Sequence, residues 1–314
     1  MIKGYLTVAL IILSIVSLFI GVTDVDFSDL FTFSDDGVHI LLVSRIPRLI
    51  SILVAGAGMS ISGLIMQQIS RNKFVSPTTA ATIDSAKMGV LVSMIMFTTA
   101  NAFQRMIVAF VFAIVGTFLF MKILDRIKFK NTIFIPLVGI MLGNIIDSVT
   151  TFVAYRFDMV QNISTWLQGD FSMIIRGRYE LIYLSIPLVF IAYLYANKFT
   201  VAGMGEDFAA NLGLNYKKVV NTGIGIVALI SSLIIITVGR IPFLGLIIPN
   251  IVTIFNGDNM KKNIIPTALA GSLFLLIADI IGRVIIYPYE VSISLIVGVV
   301  GSIIFLYLLL RRNK

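Results

Sequence analysis

VAGMGEDFAANLGLNYKKVV, residues 201–220, interrupts a chain that is otherwise almost continuously apolar. Within it Met204, Phe208 and Leu212 fall at i, i+4 and i+8, one stripe of a short helix. Glu206 and Asp207 stand in its first turn, where the positive end of the helix dipole favours acids. Gly213 follows as a C-terminal stop, then Lys217 and Lys218, and then a new apolar run. The stretch is too short and too charged to cross a bilayer, yet it offers a small apolar face. On spacing alone it is either a connector on the membrane surface or a docking element for a soluble partner. The rest of the chain decides between them.

Of the 314 residues, 58% are hydrophobic and 13% charged, against about 25% charged in a soluble domain. Mean hydropathy is +1.01. These values define an all-α integral membrane protein. The net charge of +8 does not imply nucleic acid, because a polytopic protein carries excess Lys and Arg on its inner loops. There is no cysteine, which removes disulfides, thiolate metal sites and Cys nucleophiles, and His39 is the only histidine. Imidazole-built metal centres and Ser-His-Asp catalysis are excluded with them. No GxxxxGK[ST] phosphate loop occurs, so any ATP use belongs to another chain.

Apolar runs predict about ten spans: 5–22, 49–69, 79–98, 106–124, 133–155, 181–197, 220–238, a short Gly- and Pro-broken 239–255, 264–287 and 291–310. The first follows Lys3 but lacks a small-x-small cleavage site, so it reads as an uncleaved helix. An acidic loop (Asp24, Asp26, Asp29, Asp35, Asp36) precedes Arg45-Ile46-Pro47-Arg48 at the mouth of the second span. That span is rich in small residues, including Gly56, Ser60 and Gly63, which permit close helix packing. The segment 156–180, with Trp166, predicts a short interfacial helix. With the N-terminus inside, fifteen Lys and Arg fall on inner loops and eight, all arginine, on outer ones. That bias places both termini in the cytoplasm. No composition shift divides the chain, so residues 1–314 are read as one transmembrane domain.

Charged groups inside spans are costly and therefore informative. Asp84 and Lys87, three apart, are expected to neutralise each other. Asp147 with Asn144, Thr150 and Thr151 forms a polar stripe facing either the bundle interior or a water-filled path. Asp279 and Arg283 have the i, i+4 spacing of a helical ion pair. Arg45 and Arg48 read as interfacial anchors or as partners for a docking protein's acids.

Taken together, these motifs have a familiar order. Arg45-x-Pro47-Arg48 is followed by Arg71-Asn72 to Ser76-Pro77, then Trp166-Leu167-x-Gly169. Gly205-Glu206-x-x-Ala209-x-x-Leu212-Gly213, Phe243-x-Gly245-Leu246-x-x-Pro249 and Ala278-Asp279-x-x-x-Arg283 with Glu290 complete the series. From about Arg45 onward the chain resembles the permeases of ABC importers for iron-siderophores, haem and vitamin B12. The resemblance implies a type II ABC importer permease fold in a bacterial cytoplasmic membrane, surrounded by membrane lipid. It implies a second permease subunit, in a hetero- or homodimer, an ABC ATPase dimer below and an extracytoplasmic siderophore-binding protein above. No cofactor is bound directly; ATP is used by the ATPase. Carried over by motif, Arg45, Arg48 and Arg283 dock the binding protein. Gly205, Glu206, Ala209, Leu212 and Gly213 couple to the ATPase. Asn72 and Phe74 close the inner end of a path to which Asn144 and Asp147 are also assigned.

The sequence departs from the family pattern in four places. Lys73 follows Asn72 where proline is usual. The start of the third span, Thr78 to Lys87, is not Gly- and Ser-rich. Ile241-Pro242 stands in place of Pro-Ile-Gly, and Asn250 stands where His is common. The third-span start is similar to permeases for catecholate siderophores such as petrobactin. Haem or vitamin B12 cargo, and a proton-coupled secondary transporter using Asp84, Asp147 and Asp279, are the competing readings. No carboxylate pair at catalytic spacing supports an enzyme.

Overall fold

The computed structural model describes residues 2–21, 39–79, 81–126 and 134–312. The five acids of the expected outer loop, together with Ala80, Lys128, Lys130, Asn313 and Lys314, lie outside them. Twelve α-helices are found among the described residues. We number them α1 (Ile2–Phe19), α2 (Ile46–Ile69), α3 (Thr82–Met96), α4 (Ala102–Arg126), α5 (Phe134–Arg156) and α6 (Val160–Leu167). The second half comprises α7 (Ser185–Ala202), α8 (Glu206–Asn211), α9 (Tyr216–Val238), α10 (Leu244–Asn256), α11 (Met260–Val284) and α12 (Ile293–Arg312). Seven helices are long and apolar enough to cross a membrane, and Lys3–Phe19 and Leu244–Asn256 are shorter apolar helices. The short helix expected within 156–180 is α6, with Trp166 near its end.

The bundle is built around α2 and α9, most of whose residues are buried. Small residues bring backbones together, as packing in lipid requires. At Gly56 a Cβ would lie 2.6 Å from Ser272 Cα of α11, and at Gly63 it would land on the Gly245 carbonyl of α10. Gly63→Val is therefore expected to abolish recovery of monodisperse protein from membranes on size-exclusion chromatography. Gly225→Val on α9, where nothing lies within 4 Å of the added atom, should not.

Two prolines reshape helices that the hydropathy pattern draws as uniform runs. Arg45 to Arg48 was expected to end a loop, but it lies inside one continuous helix, 41–69, whose first turn, Leu41–Arg45, is π-helical. Pro47 has no amide hydrogen for the Val43 carbonyl, and the Arg176 amide bonds that carbonyl instead, at 3.0 Å. Within α10, Pro249 likewise leaves the Gly245 carbonyl unmatched. The buried Gln67 amide reaches it at 3.4 Å and bonds Leu246 O at 3.0 Å.

Boundaries move accordingly. The eighth run loses residues 239–243, where Gly239 (φ 82°) and Phe243 (φ 59°) leave helical geometry. The ninth begins at Met260 rather than 264 because the Asn259 side chain caps the Lys262 amide at 3.1 Å. The sixth is displaced to 185–202, behind a short 3-10 turn at Glu180–Leu184.

Candidate functional site

Four groups of polar residues stand out against the apolar bundle. The first is the stretch 201–220. Gly205 takes φ 119°, turning the chain between α7 and α8, and Gly213 takes φ 75° after it. The helix covers only Glu206–Asn211, but the expected apolar stripe survives its shortening. Met204, Phe208 and Leu212 are 54%, 48% and 61% exposed. Glu206 is exposed beside them, whereas Ala209 is fully buried and fixes α8 to the bundle. Three exposed apolar side chains and an exposed acid thus lie on or beside a short helix that Ala209 holds to the bundle.

The second group joins the turn after α2 to the α10–α11 region. Asn72 Oδ1 accepts from the Phe74 amide at 2.9 Å. The Phe74 ring meets Phe305 of α12 edge-on at 5.9 Å. Lys73 is ion-paired to Asp258, and its carbonyl accepts from the Asn250 amide at 2.8 Å. Lys73 and Asn250, two of the departures from the family pattern, are thus in direct contact. Beside them, a cleft of about 650 Å³ is lined by Arg71, Asn72, Phe74 and Asp258. Lys217 of α9 pairs with Asp125 of α4 at 3.0 Å, bringing another basic turn to the same end of the bundle.

The third group lies at the opposite end. Asp279 is almost completely buried and pairs with both Arg283, as the i, i+4 spacing predicts, and Arg48, at 2.8 Å. Arg48 also holds Glu290 at 2.8 Å. Arg283 Nη1 donates to the Ser17 and Ile20 carbonyls at 2.8 and 2.7 Å, and Arg45 donates to Ile20 as well. These carbonyls belong to the last turn of α1 and the residue after it, where cations complement the helix dipole. Arg45 and Arg283 are 7% and 4% exposed, so both guanidinium groups are turned into the chain. Glu290 is the acid of this network nearest to solvent, with 23% of its side chain exposed.

The fourth group concerns α3 and α5. Lys87 does not neutralise Asp84; it pairs with Asp147 at 2.6 Å and donates to Thr151 at 3.2 Å. Asp84 instead lies against Gly143, whose missing side chain leaves room for the carboxylate. One turn further along each helix, Lys87 then meets Asp147. Within the expected polar stripe, Thr150 is buried and bonds Ile146 O at 2.7 Å. Asn144 and Thr151 are exposed and Asp147 is half-buried, so the stripe faces outward from this subunit. Polar groups on an outward face of a spanning helix serve a water-filled cavity or a protein neighbour rather than lipid. Among the described residues no group of three or more His, Cys, Asp or Glu could hold a metal ion.

An all-helical membrane fold, outward polar groups on a spanning helix and an exposed short helix at one end are features of a transport permease. The chain belongs to the FecCD transport family, whose model matches residues 9–311. It is 63% identical over 309 residues to the petrobactin import system permease protein YclN of Bacillus subtilis, covering 98% of each chain. It is 38% identical to the ferric-anguibactin transport system permease protein FatD of Vibrio anguillarum, covering 95% of each. A second B. subtilis petrobactin import system permease, YclO, is 28% identical over 87% of this chain and 89% of its own. The fold matches the inward-facing structure of a metal-chelate type ABC transporter with a TM-score of 0.84, at 22% identity and 99% coverage of both chains.

Proposed function

We propose that this chain is the permease subunit of an ABC importer that carries a Fe(III)-siderophore of the petrobactin type across the cytoplasmic membrane. The observation that carries this reading is its 63% identity to a petrobactin permease along essentially the whole of both chains. The chain makes no covalent bond to its cargo; a separate ATPase hydrolyses ATP. On this reading residues 1–314 form one transmembrane domain with ten crossings, in which α1, α3 and α10 join the seven long apolar helices. The contact between Phe74 and Phe305 brings the α12 end near the turn after α2. The capping of α1 by Arg283 puts the end of α1 at the opposite face. Both termini then lie on the lysine-rich side, the cytoplasm.

On this reading α8 with Gly205, Glu206, Ala209, Leu212 and Gly213 transmits ATPase motion, and Asn72 and Phe74 bound the inner end of the path. Asn144 and Asp147 line the path itself. The B. subtilis petrobactin system has two permease proteins related to this chain, which favours a heterodimer. Arg45, Arg48 and Arg283 surround the outer face where a siderophore-binding protein would dock. Because their guanidinium groups already hold Asp279, Glu290 and α1, docking through them requires exchange of partners. Glu290, at the edge of this network, is the group to probe by site-specific photo-crosslinking.

Deleting the gene is expected to abolish uptake of iron-55 petrobactin, and the intact gene to restore it. A hydrolysis-dead partner ATPase should abolish uptake as fully. Uptake that survives the dead ATPase but collapses with an uncoupler would establish a secondary transporter. Uptake of haem or cobalamin in place of petrobactin would reassign the cargo.

A further inference from the structure

The cavity that opens beside α3 and α5 has a volume of about 410 Å³. It gathers four charges from three parts of the chain: Asp84 and Lys87 of α3, Asp147 of α5, and Arg240 after α9. Ser164 and Gln168 complete its polar wall. Charges set between apolar helices purely to lock them together should close into pairs, because an uncompensated charge there is expensive. Only one pair closes within 4 Å here, Lys87 with Asp147. Among the described residues neither Asp84 nor Arg240 makes an ion pair, and Arg240 is exposed.

Arg240 is nevertheless held at its backbone. Its amide donates to Leu167 O at 2.9 Å, and it bridges in parallel to Gln168. Gly239 before it adopts φ 82°, and a Cβ there would approach the Gln168 carbonyl carbon to 2.7 Å. A side chain at residue 240 is thus delivered to the cavity from a fixed backbone. Two of the four departures from the family pattern touch this region: Asp84 and Lys87 fall in the atypical third-span start, and Arg240 immediately precedes Ile241-Pro242.

We propose that this cavity is a transit site in which Arg240, with Lys87 behind it, takes the anionic oxygen face of a ferric chelate. Guanidinium presents a planar fork of donors suited to carboxylate or phenolate oxygens. Asp84 and Asp147 oppose that attraction and keep binding weak. A site along a path must be favourable enough to enter and weak enough to leave. Two acids facing two bases meet that demand, whereas a purely basic pocket would trap an anionic cargo. The path is then selective for charge, rather than a passive conduit behind a selective binding protein.

This inference rests on the importer reading, and its test is separate from uptake. The assembled transporter, purified with its second permease and ATPase in lipid nanodiscs without ATP, is equilibrated with two iron-55 probes. One is an anionic ferric tris-catecholate and the other a neutral ferric tris-hydroxamate. Arg240→Gln should weaken binding of the anionic probe by about tenfold, the size of one charge-assisted contact, and leave the neutral probe unchanged. Asp84→Asn should act in the opposite direction, tightening the anionic probe several-fold. Arg240→Lys should retain most of the affinity, so the test stands even where the Gln variant assembles poorly. No binding to the wild type, equal effects on both probes, or weaker binding in both Arg240→Gln and Asp84→Asn would each overturn the site. Those outcomes leave the importer reading intact, since cellular uptake reports on that reading independently.

Discussion

Glu206→Lys is expected to leave the permease in the membrane at its normal level and to cut ATP-driven siderophore uptake by about tenfold or more. The asymmetry follows from where the side chain stands. Glu206 is exposed at the first position of α8 and, among the described residues, forms no ion pair with the rest of the chain. Reversing its charge therefore costs folding only the loss of a favourable helix-dipole contact, about 0.3–1 kcal/mol. A charge reversed within a protein contact costs more, about 2–5 kcal/mol, and each 1.4 kcal/mol is tenfold in affinity. Detergent-solubilised permease should accordingly lose co-purification with its ATPase while its melting temperature stays near that of the wild type. Leu212→Ala, which trims the exposed stripe without touching the bundle, should show the same pattern at smaller amplitude. Normal uptake by the Glu206→Lys transporter would remove this helix from the coupling contact. Ala209 cannot be used in the same way. It is fully buried, so enlarging it would disturb how α8 sits on the bundle before any partner is involved.

The legibility of this fold in its sequence depends on distance along the chain. Apolar run length is a local property and located the ten apolar helices, except for their exact ends, whereas α6 and α8 were read from a polar segment and from residue spacing. The ends were set by features that hydropathy ignores, such as the Asn259 cap and the positive φ at Phe243. The Asp279–Arg283 pair was readable because helical periodicity fixes i, i+4 neighbours. The other half of that network was not, since Arg48 lies 231 residues from Asp279 and 242 from Glu290. The same reasoning explains Lys87. Its spacing to Asp84 suggested a local pair, but the small residue at Gly143 draws Asp84 toward α5. Asp147, 60 residues further on, then receives the ammonium. Arg240 gave no periodic signal at all, because it sits in a turn whose geometry comes from Gly239 and the Gln168 bridge. In the sequence it stood out only as one of the eight outer arginines, next to the departure at Ile241-Pro242.

Asp279→Ala should destabilise the permease more than any single change to its surface charges. The carboxylate is 2% exposed and sits between two guanidinium groups. Removing it leaves Arg48 with Glu290 and strips Arg283 of the one ion-pair partner it has among the described residues, while Arg283 itself remains 4% exposed. Breaking a buried pair by deleting one partner costs about 3–5 kcal/mol, because the surviving charge stays desolvated. The damage should be directional. Arg283 fixes α1 through the Ser17 and Ile20 carbonyls, so a misplaced guanidinium releases that helix from α11. Thermal melting in detergent should fall. The double variant Asp279→Ala with Arg283→Ala should melt above the single one, since no charge is then stranded, although α1 still lacks its anchor. A single variant that melts with the wild type would show that apolar packing alone holds α1. A double variant that melts below the single one would show that Arg283 serves α1 chiefly through its carbonyl contacts, with Asp279 only orienting it.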